Sequence, residues 1–144
     1  MAIVTFSTDV VWSGKGVLSE ADVNGKKVLI DEPAHLGGTD IAPNPVEYLL
    51  VGLGGCINVL VATYAEEYNV KVDYLEVKVH GDLDPDGFLG KNKDVRPGFS
   101  EIRYECIIQS DSNNEDISAL LSHVEKICPV KDTLIGTIVK RTAN

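Results

Sequence analysis

One long apolar stretch, residues 44–70 (NPVEYLLVGLGGCINVLVATYAEEYNV), most constrains how this chain can fold, and a cysteine lies near its middle. Asn44 is a natural N-cap, Pro45 suits the first helical position, and Glu47 falls where free amides favour a carboxylate. The stretch therefore predicts a helix that starts at residue 45 and ends near residue 69. Residues spaced by four, three, four and three form one predicted stripe: Leu49, Leu53, Cys56, Leu60 and Thr63.

A membrane span is the first alternative, since residues 46–65 contain a single charge, Glu47. Three glycines with Asn58 and Thr63 lower the hydropathy, however, and neither end carries a flanking Lys or Arg. A helix that is apolar all round also suits the buried axis of a soluble domain. We therefore expect a core helix and no membrane partner.

The chain of 144 residues is long enough to bury a core, so we expect one domain over residues 1–144. Its formal net charge of -9 argues against binding to nucleic acid or to anionic membrane surfaces. The N-terminal residues lack the basic and apolar regions of a signal peptide, which favours a cytoplasmic location. An odd number of cysteines, Cys56, Cys106 and Cys128, indicates thiols in a reducing compartment instead of a disulfide framework.

The rest of the chain mixes strands with a second helix. Alternating or β-branched patterns predict strands at residues 3–11, 17–23, 26–31, 70–79, 99–110 and 137–142. Asn24-Gly25 predicts a type I′ turn between the second and third strands, and residues 82–98 predict a long surface loop. Cys106 falls on the apolar side of its strand, where it is expected to be a small core residue.

A second helix is predicted to open at a capping box formed by Ser112 and Glu115. Its apolar positions form one stripe: Ile117, Leu120, Leu121, Val124 and Ile127. Beyond it, Pro129 restricts Cys128 away from helical geometry and suits the start of a short helix that runs to about residue 135. Free amides and two nearby lysines would favour the thiolate of Cys128, while the alternative is a buried cap without reactivity.

For Cys56 the structural alternative is stronger still, because a cysteine within an apolar helix most often serves packing and a dry site raises a thiol pKa. The pair Gly54-Gly55 argues for more, since each glycine costs a helix roughly 1 kcal/mol relative to alanine. Such a cost suggests that another segment approaches closely there, and Cys128 is one candidate for that segment.

Other chemistries have little support. The histidines His35, His80 and His123 form no HExxH motif, CxxC is absent, and only an unsignalled pair such as His123 with Cys128 would offer a zinc site. The glycines near Cys56 lie within the helix and do not match a dinucleotide fingerprint. We expect neither a metal nor a cofactor.

The motif NPVEYLLVGLGGC, followed about seventy positions later by CPV, resembles the OsmC/Ohr family of thiol-dependent peroxidases. The resemblance extends over essentially the whole chain. It implies an α+β fold with an N-terminal β-meander, a long central helix, two further strands, a second helix and a final strand. It also implies an intertwined homodimer with sites at the subunit interface.

The same resemblance assigns Cys56 as the peroxidatic cysteine and Cys128 as the resolving one. Cys56 would become a sulfenic acid, Cys128 would capture it as a disulfide, and an external dithiol reductant would restore both thiols. An apolar helix beside the site suits organic hydroperoxides as substrates.

The chain departs from the family at two positions. The family's glutamate directly follows Asn-Pro, where this chain has Val46, so Glu47 is the nearest substitute. The family's arginine lies in the N-terminal β region, where Lys15 could supply the charge; Arg96 is a weaker candidate. These departures leave open a binding protein for a small apolar or electrophilic ligand, and a purely structural role is a third possibility.

Overall fold

A computed structural model describes residues 1–134 and 138–143 as a mixed α+β protein. Six strands are described: β1 (Asp9–Trp12), β2 (Ser19–Val23), β3 (Lys26–Ile30), β4 (Tyr74–Asp82), β5 (Glu101–Gln109) and β6 (Ile138–Ala143). The helices are α1 (Pro45–Tyr64), α2 (Pro85–Phe88), α3 (Asn114–Ile127) and α4 (Pro129–Thr133). This order confirms the predicted α+β arrangement, with the short α2 inside the predicted loop.

By its internal contacts the chain divides into two compact units, Met1–Leu49 and Leu50–Asn144, and each is described by itself. The single domain over residues 1–144 therefore stays a prediction. Two sequence expectations reach beyond the described residues, namely the end of the short helix at residue 135 and the start of the last strand at residue 137.

The first unit contains the antiparallel meander β1-β2-β3. Asn24 and Gly25 have φ of 53° and 78°, as a type I′ turn requires, and the Gly25 amide donates to the Asp22 carboxylate at 2.8 Å. β1 begins at Asp9, later than predicted, and its first pair joins Asp9 to Asp22 of β2. The hairpin prediction is confirmed.

The second unit contains the sheet β4-β5-β6, in which β4 and β5 are antiparallel and β5 and β6 are parallel. Alternate residues of β5 point into the core and are almost fully buried: Ile102, Tyr104 and Cys106. The prediction that Cys106 is a core residue is confirmed. Residues of α1 and α3 complete this core: Leu53, Ile57, Val61, Leu120, Leu121 and Val124.

Helix α1 begins at Pro45 as predicted but ends at Tyr64, where a short 3-10 turn and Asn69 with φ of 56° terminate it. Its buried stripe is Leu53, Gly54, Ile57 and Val61, so the ends of the predicted stripe, Leu49 and Thr63, are exposed. Among the described residues it is the one helix long and apolar enough to cross a membrane by length and composition, a test that core helices also pass.

The cap of α3 differs from the prediction by one residue. Asn113 is the N-cap, and its side-chain oxygen accepts the Glu115 amide at 2.8 Å. Ser112 instead accepts the Lys71 amide at 2.8 Å and so ties the segment before β4 to the start of α3. The predicted Ser112 capping box is therefore wrong.

Candidate active site

Cys56 lies in the fourth turn of α1, at the edge of the helix's buried stripe. One neighbouring row of the helix, Leu53 and Ile57, is fully buried. On the other side, at helical spacings of three and four residues, Gly52 and Val59 are exposed. Cys56 is accordingly only partly buried, and one flank of its thiol faces an uncovered helix surface.

Cys128 joins α3 to α4 and is 2% exposed. Its φ of -67° and ψ of 108° break the helix, as the following proline requires. The Cys128 sulfur accepts the Lys131 amide at 3.4 Å, so the cysteine caps α4 as predicted from the sequence.

The two thiols meet although 72 positions separate them in the sequence. Cys128 Sγ donates to Cys56 Sγ across 3.4 Å. A disulfide has an S–S length of about 2.05 Å, so closing this gap needs a displacement of a little over about 1 Å. Cys56 and Cys128, two of the four residues predicted for the site, are therefore in contact.

The protonation of Cys128 differs from the sequence expectation. Burial raises the pKa of the Cys128 thiol above its ordinary value of 9.0, and its hydrogen bond to Cys56 acts in the same direction. The Lys131 amide opposes this increase but does not outweigh it. The expectation of a favoured Cys128 thiolate is therefore wrong, and Cys128 is better suited to hold a proton and donate it to Cys56.

A charged network borders the pair on the α3–α4 side. Glu125 pairs with Lys131 at 3.1 Å and with Arg141 at 3.6 Å. Glu125 and Lys131 also line a cavity of about 610 Å³ that reaches Cys128. Sequence reasoning missed Glu125 and Arg141, because only the parallel pairing of β6 with β5 brings Arg141 to this place.

Two β5 side chains next to this network keep their protons because their surroundings raise their pKa values. Burial raises the pKa of Cys106 to about 11, and the charge of Arg141 only partly offsets that effect. Burial likewise raises the pKa of Tyr104 well above its usual range. Both groups are neutral at physiological pH, which fits the core position predicted for Cys106.

Another segment approaches the glycine pair beside Cys56 closely, as predicted, but it is not Cys128. A Cβ on Gly54 would lie 3.1 Å from Val79 Cγ2, so the closely approaching segment is β4 and not Cys128. At Gly55, a Cβ would meet no atom of the described residues within 4 Å. Gly54 thus allows close helix–sheet packing, while Gly55 lies on the exposed side.

Glu47 and Asn44 form a reciprocal capping box at the start of α1. The Glu47 carboxylate accepts the Asn44 amide at 2.8 Å, and the Asn44 side chain accepts the Glu47 amide at 2.9 Å. This gives Glu47 a structural role at the helix end, and its catalytic role stays a prediction.

Lys15 lies in the turn between β1 and β2, in the first unit, and Arg96 lies between α2 and β5. Their assignment to the site also stays a prediction. Among residues 1–134 and 138–143 no group of histidine, cysteine or acidic residues could hold a metal ion. His123 packs against Tyr64 and Tyr68, with ring centroids 4.8 Å and 5.4 Å away.

Comparison with known proteins identifies a family match and similar solved structures. A model of the family described as OsmC-like protein matches residues 37–142. The chain is similar in structure to an OsmC like protein from Mycoplasma pneumoniae, with 21% identity, 98% and 96% of the two chains covered and a TM-score of 0.84. It is also similar to an OsmC-like protein of unknown function from Vibrio cholerae, with 13% identity, 99% and 100% covered and a TM-score of 0.81.

A third similar structure is an organic hydroperoxide resistance protein OsmC from Legionella pneumophila, with 18% identity, 100% and 99% covered and a TM-score of 0.71. No curated protein sequence matches the chain. At these identities the structural likeness shows the fold alone, whereas the family model covers most of the sequence. The chain belongs to the OsmC-like protein family.

Proposed function

We propose that the protein is a thiol-dependent peroxidase that reduces organic hydroperoxides through Cys56 and Cys128. The observation that carries the proposal is the 3.4 Å contact between the two sulfur atoms. Cys56 is the more accessible thiol and suits attack on a peroxide, while the buried Cys128 suits capture of the product. Similar structures include proteins named for organic hydroperoxide resistance.

The proposed reaction contains two reductions, first of the hydroperoxide by the protein thiols and then of the protein disulfide by an external dithiol. The Cys56 thiolate attacks the terminal oxygen of ROOH, the O–O bond breaks, and an alkoxide leaves and takes up a proton to give ROH. Cys128 then attacks the Cys56 sulfenic acid, which forms the disulfide and releases water. An external dithiol reduces the disulfide by two exchange steps and becomes a disulfide itself.

The hydrogen bond between the thiols supports this division of roles. As the donor, Cys128 directs its S–H at the Cys56 sulfur, the atom that attacks the peroxide in the proposed reaction. Because burial raises the pKa of Cys128, this thiol keeps its proton while Cys56 reacts. Its deprotonation is needed only in the second step, once the sulfenic acid is present.

The exposed flank of α1 favours an apolar substrate tail over hydrogen peroxide. Val51 and Val59 are 60% and 65% exposed, and Gly52 and Gly55 lie between them on the same side. Such a surface beside a reactive thiol can hold an alkyl group.

A second copy of the chain is the partner that we propose for the rest of this exposed surface, in a homodimer. Val59→Glu places a charge on it and should shift the protein to a smaller species in sedimentation velocity. Gln109→Glu adds the same charge at an exposed end of β5 and serves as the control. Sedimentation of wild type as a monomer would remove the homodimer from the proposal.

The other features of the proposed setting follow from the sequence. We propose a cytoplasmic protein without nucleic-acid or membrane partners, in keeping with its formal net charge of -9 and its cysteine content. Glu47 and Lys15 are proposed to assist the thiolate, as the family resemblance implies.

The test of the peroxidase is a count of free thiols after one equivalent of cumene hydroperoxide is added to reduced protein. Wild type should lose two thiols, Cys128→Ser should lose one as a trapped sulfenic acid, and Cys56→Ser should react no faster than background. Dihydrolipoamide should restore both thiols in wild type. If wild type reacts no faster than Cys56→Ser, the protein is not a peroxidase.

A non-catalytic ligand-binding protein is the second candidate. It is favoured by the capping box, which occupies the Glu47 carboxylate, and by a cavity of about 420 Å³. The cavity is apolar apart from Asn58, and its other lining residues are Leu50, Val51, Gly54, Gly55, Val77 and Val79. Saturable binding of an apolar ligand by a protein that keeps all of its thiols in cumene hydroperoxide would support this function.

A further inference from the structure

Asn24-Gly25 is the one Asn-Gly pair in the sequence, and it lies between β2 and β3 as the two central residues of their turn. An asparagine followed by glycine loses ammonia most readily, because no side chain shields the glycine nitrogen that attacks the asparagine side chain. Both residues are exposed, and a Cβ placed on Gly25 would meet no atom of the described residues within 4 Å. The surroundings therefore leave this pair open to the reaction.

One hydrogen bond opposes the reaction. The Gly25 amide, whose proton must leave before its nitrogen can attack, donates to Asp22 Oδ1 at 2.8 Å. Lys27 pairs with the same carboxylate at 3.0 Å, and this pairing, with the Gly25 amide, lowers the pKa of Asp22. Asp22 is thus charged at neutral pH, so it holds the amide proton in a hydrogen bond and repels an amide anion beside it.

We propose that Asn24 is a site of spontaneous deamidation and that the Asp22 carboxylate limits its rate in the folded protein. The Gly25 nitrogen bonds to Asn24 Cγ, the bond from Cγ to the side-chain nitrogen breaks, and ammonia leaves, which gives a cyclic succinimide. Water then opens one of the two bonds between a ring carbonyl and the ring nitrogen. The product is aspartate in place of Asn24 or isoaspartate, in which the side-chain carbon continues the main chain.

The two products differ in their effect on the turn. Aspartate tolerates the left-handed conformation of Asn24, with φ of 53°, as asparagine does. Isoaspartate adds one main-chain carbon to a two-residue turn, so it should disturb the pairing of Val23 with Lys26. Either product places a further negative charge near Asp22.

The experiment is a time course of reduced full-length protein at physiological temperature and pH, with mass spectrometry of the tryptic peptide 16–26. Asn24 has the only side-chain amide in that peptide, so replacement of NH₂ by OH there belongs to Asn24. Protein in guanidinium chloride gives the rate without the fold, and a zero-time sample corrects for digestion. Asn24 should react in the folded protein, but at least about threefold more slowly than in the denatured protein.

Three variants and an internal control make the assignment specific. Asp22→Ala should raise the folded-state rate about three- to tenfold and leave the rate in guanidinium chloride unchanged. Asp22→Asn keeps an acceptor oxygen without the charge, so its rate should fall between those of wild type and Asp22→Ala. Lys27→Met removes the ion pair but keeps the acceptor of the Gly25 amide, and should stay within about twofold of wild type. Asn69 also has a positive φ, of 56°, but Val70 follows it, so it should not react measurably.

Several outcomes would overturn the proposal. Folded protein in which Asn24 reacts no faster than Asn69 would remove the site. An unchanged rate in Asp22→Ala would show that the carboxylate is no barrier, and a lower rate would show that it acts as a base. If Asp22→Ala fails to fold, the comparison of Asp22→Asn with wild type decides in the same way. Cys56→Ser should deamidate like wild type, because the reaction does not involve the thiols.

Discussion

Glu47 is the residue whose two possible roles are easiest to separate. Its carboxylate and the Asn44 side chain cap the start of α1 by two reciprocal hydrogen bonds. A capping box accepts glutamine in place of glutamate, since only an acceptor oxygen is needed. A contribution to the thiolate chemistry would instead need the negative charge.

Glu47→Ala should lower the free energy of unfolding by about 1 kcal/mol, whereas Glu47→Gln should lower it by only a few tenths. Urea denaturation of both variants measures this. Equal losses in the two variants would contradict the capping role. A peroxide reaction that slows in Glu47→Gln while stability is kept would identify the carboxylate as part of the chemistry.

Asp31 should contribute to the acid sensitivity of the first unit. Its pKa is about 2 in the folded protein against 3.8 ordinarily, so its ionised form is stabilised by folding. That contribution is present at neutral pH and is lost as the pH falls from about 5 toward 2. The stability difference between wild type and Asp31→Asn should therefore narrow over this range in urea denaturation. A stability difference between wild type and Asp31→Asn that stays constant down to pH 3 would contradict this contribution of Asp31.

Residue-level features were predictable where a local rule decides them. Asn44-Pro45 and Cys128-Pro129 were placed correctly, because proline and its neighbour have few conformations. Ser112 and Asn113 are both good caps, and only the tertiary bond from the Lys71 amide to Ser112 decides between them. Burial, which sets the protonation of Cys128, could not be read from its neighbours in sequence.

At the scale of elements, α1 can pack closely on β4 because of Gly54. A Cβ at this position would come within 3.1 Å of Val79, tighter than ordinary van der Waals contact. Gly55, one residue later, points to the exposed side of the same helix. The two glycines have the same intrinsic cost to a helix and differ only in what surrounds them.

Gly55→Ala should therefore stabilise the protein by up to about 1 kcal/mol. Gly54→Ala should be less stable than Gly55→Ala, because its methyl group must displace Val79 of β4. Thermal and urea unfolding of the two variants side by side give this difference. Equal stability of the two variants would show that Val79 of β4 moves aside for the new methyl group without a measurable loss of stability.

Strand and helix positions were largely predictable from periodicity, but strand pairing was not. The alternating pattern of β5 showed which residues are buried, yet contained nothing to say that β6 lies beside it in parallel. That pairing brings Arg141 to Glu125. The charged network next to Cys128 was missed for this reason.

At the scale of the whole molecule, the thiol pair joins distant parts of the sequence. Cys56 and Cys128 lie 72 positions apart, and the resemblance to a family, not residue spacing, paired them. A disulfide between them would close a long loop and restrict the unfolded chain, by up to about 4 kcal/mol for a loop of this size.

Oxidised protein should accordingly unfold at a higher urea concentration than reduced protein, and Cys128→Ser should show no such difference after the same treatment. Urea denaturation curves recorded with and without a dithiol measure this difference in stability. An oxidised form less stable than the reduced one would mean that the bond strains α1 against α4.

The cap on α4 also makes the protein a reporter of its own redox state. The sulfur that accepts the Lys131 amide is the one that would join the disulfide. When that sulfur moves toward Cys56, the amide loses or weakens its acceptor, so its proton resonance shifts upfield and its exchange with solvent quickens. One backbone signal can thus follow turnover in real time, without a dye, a label or a coupled enzyme.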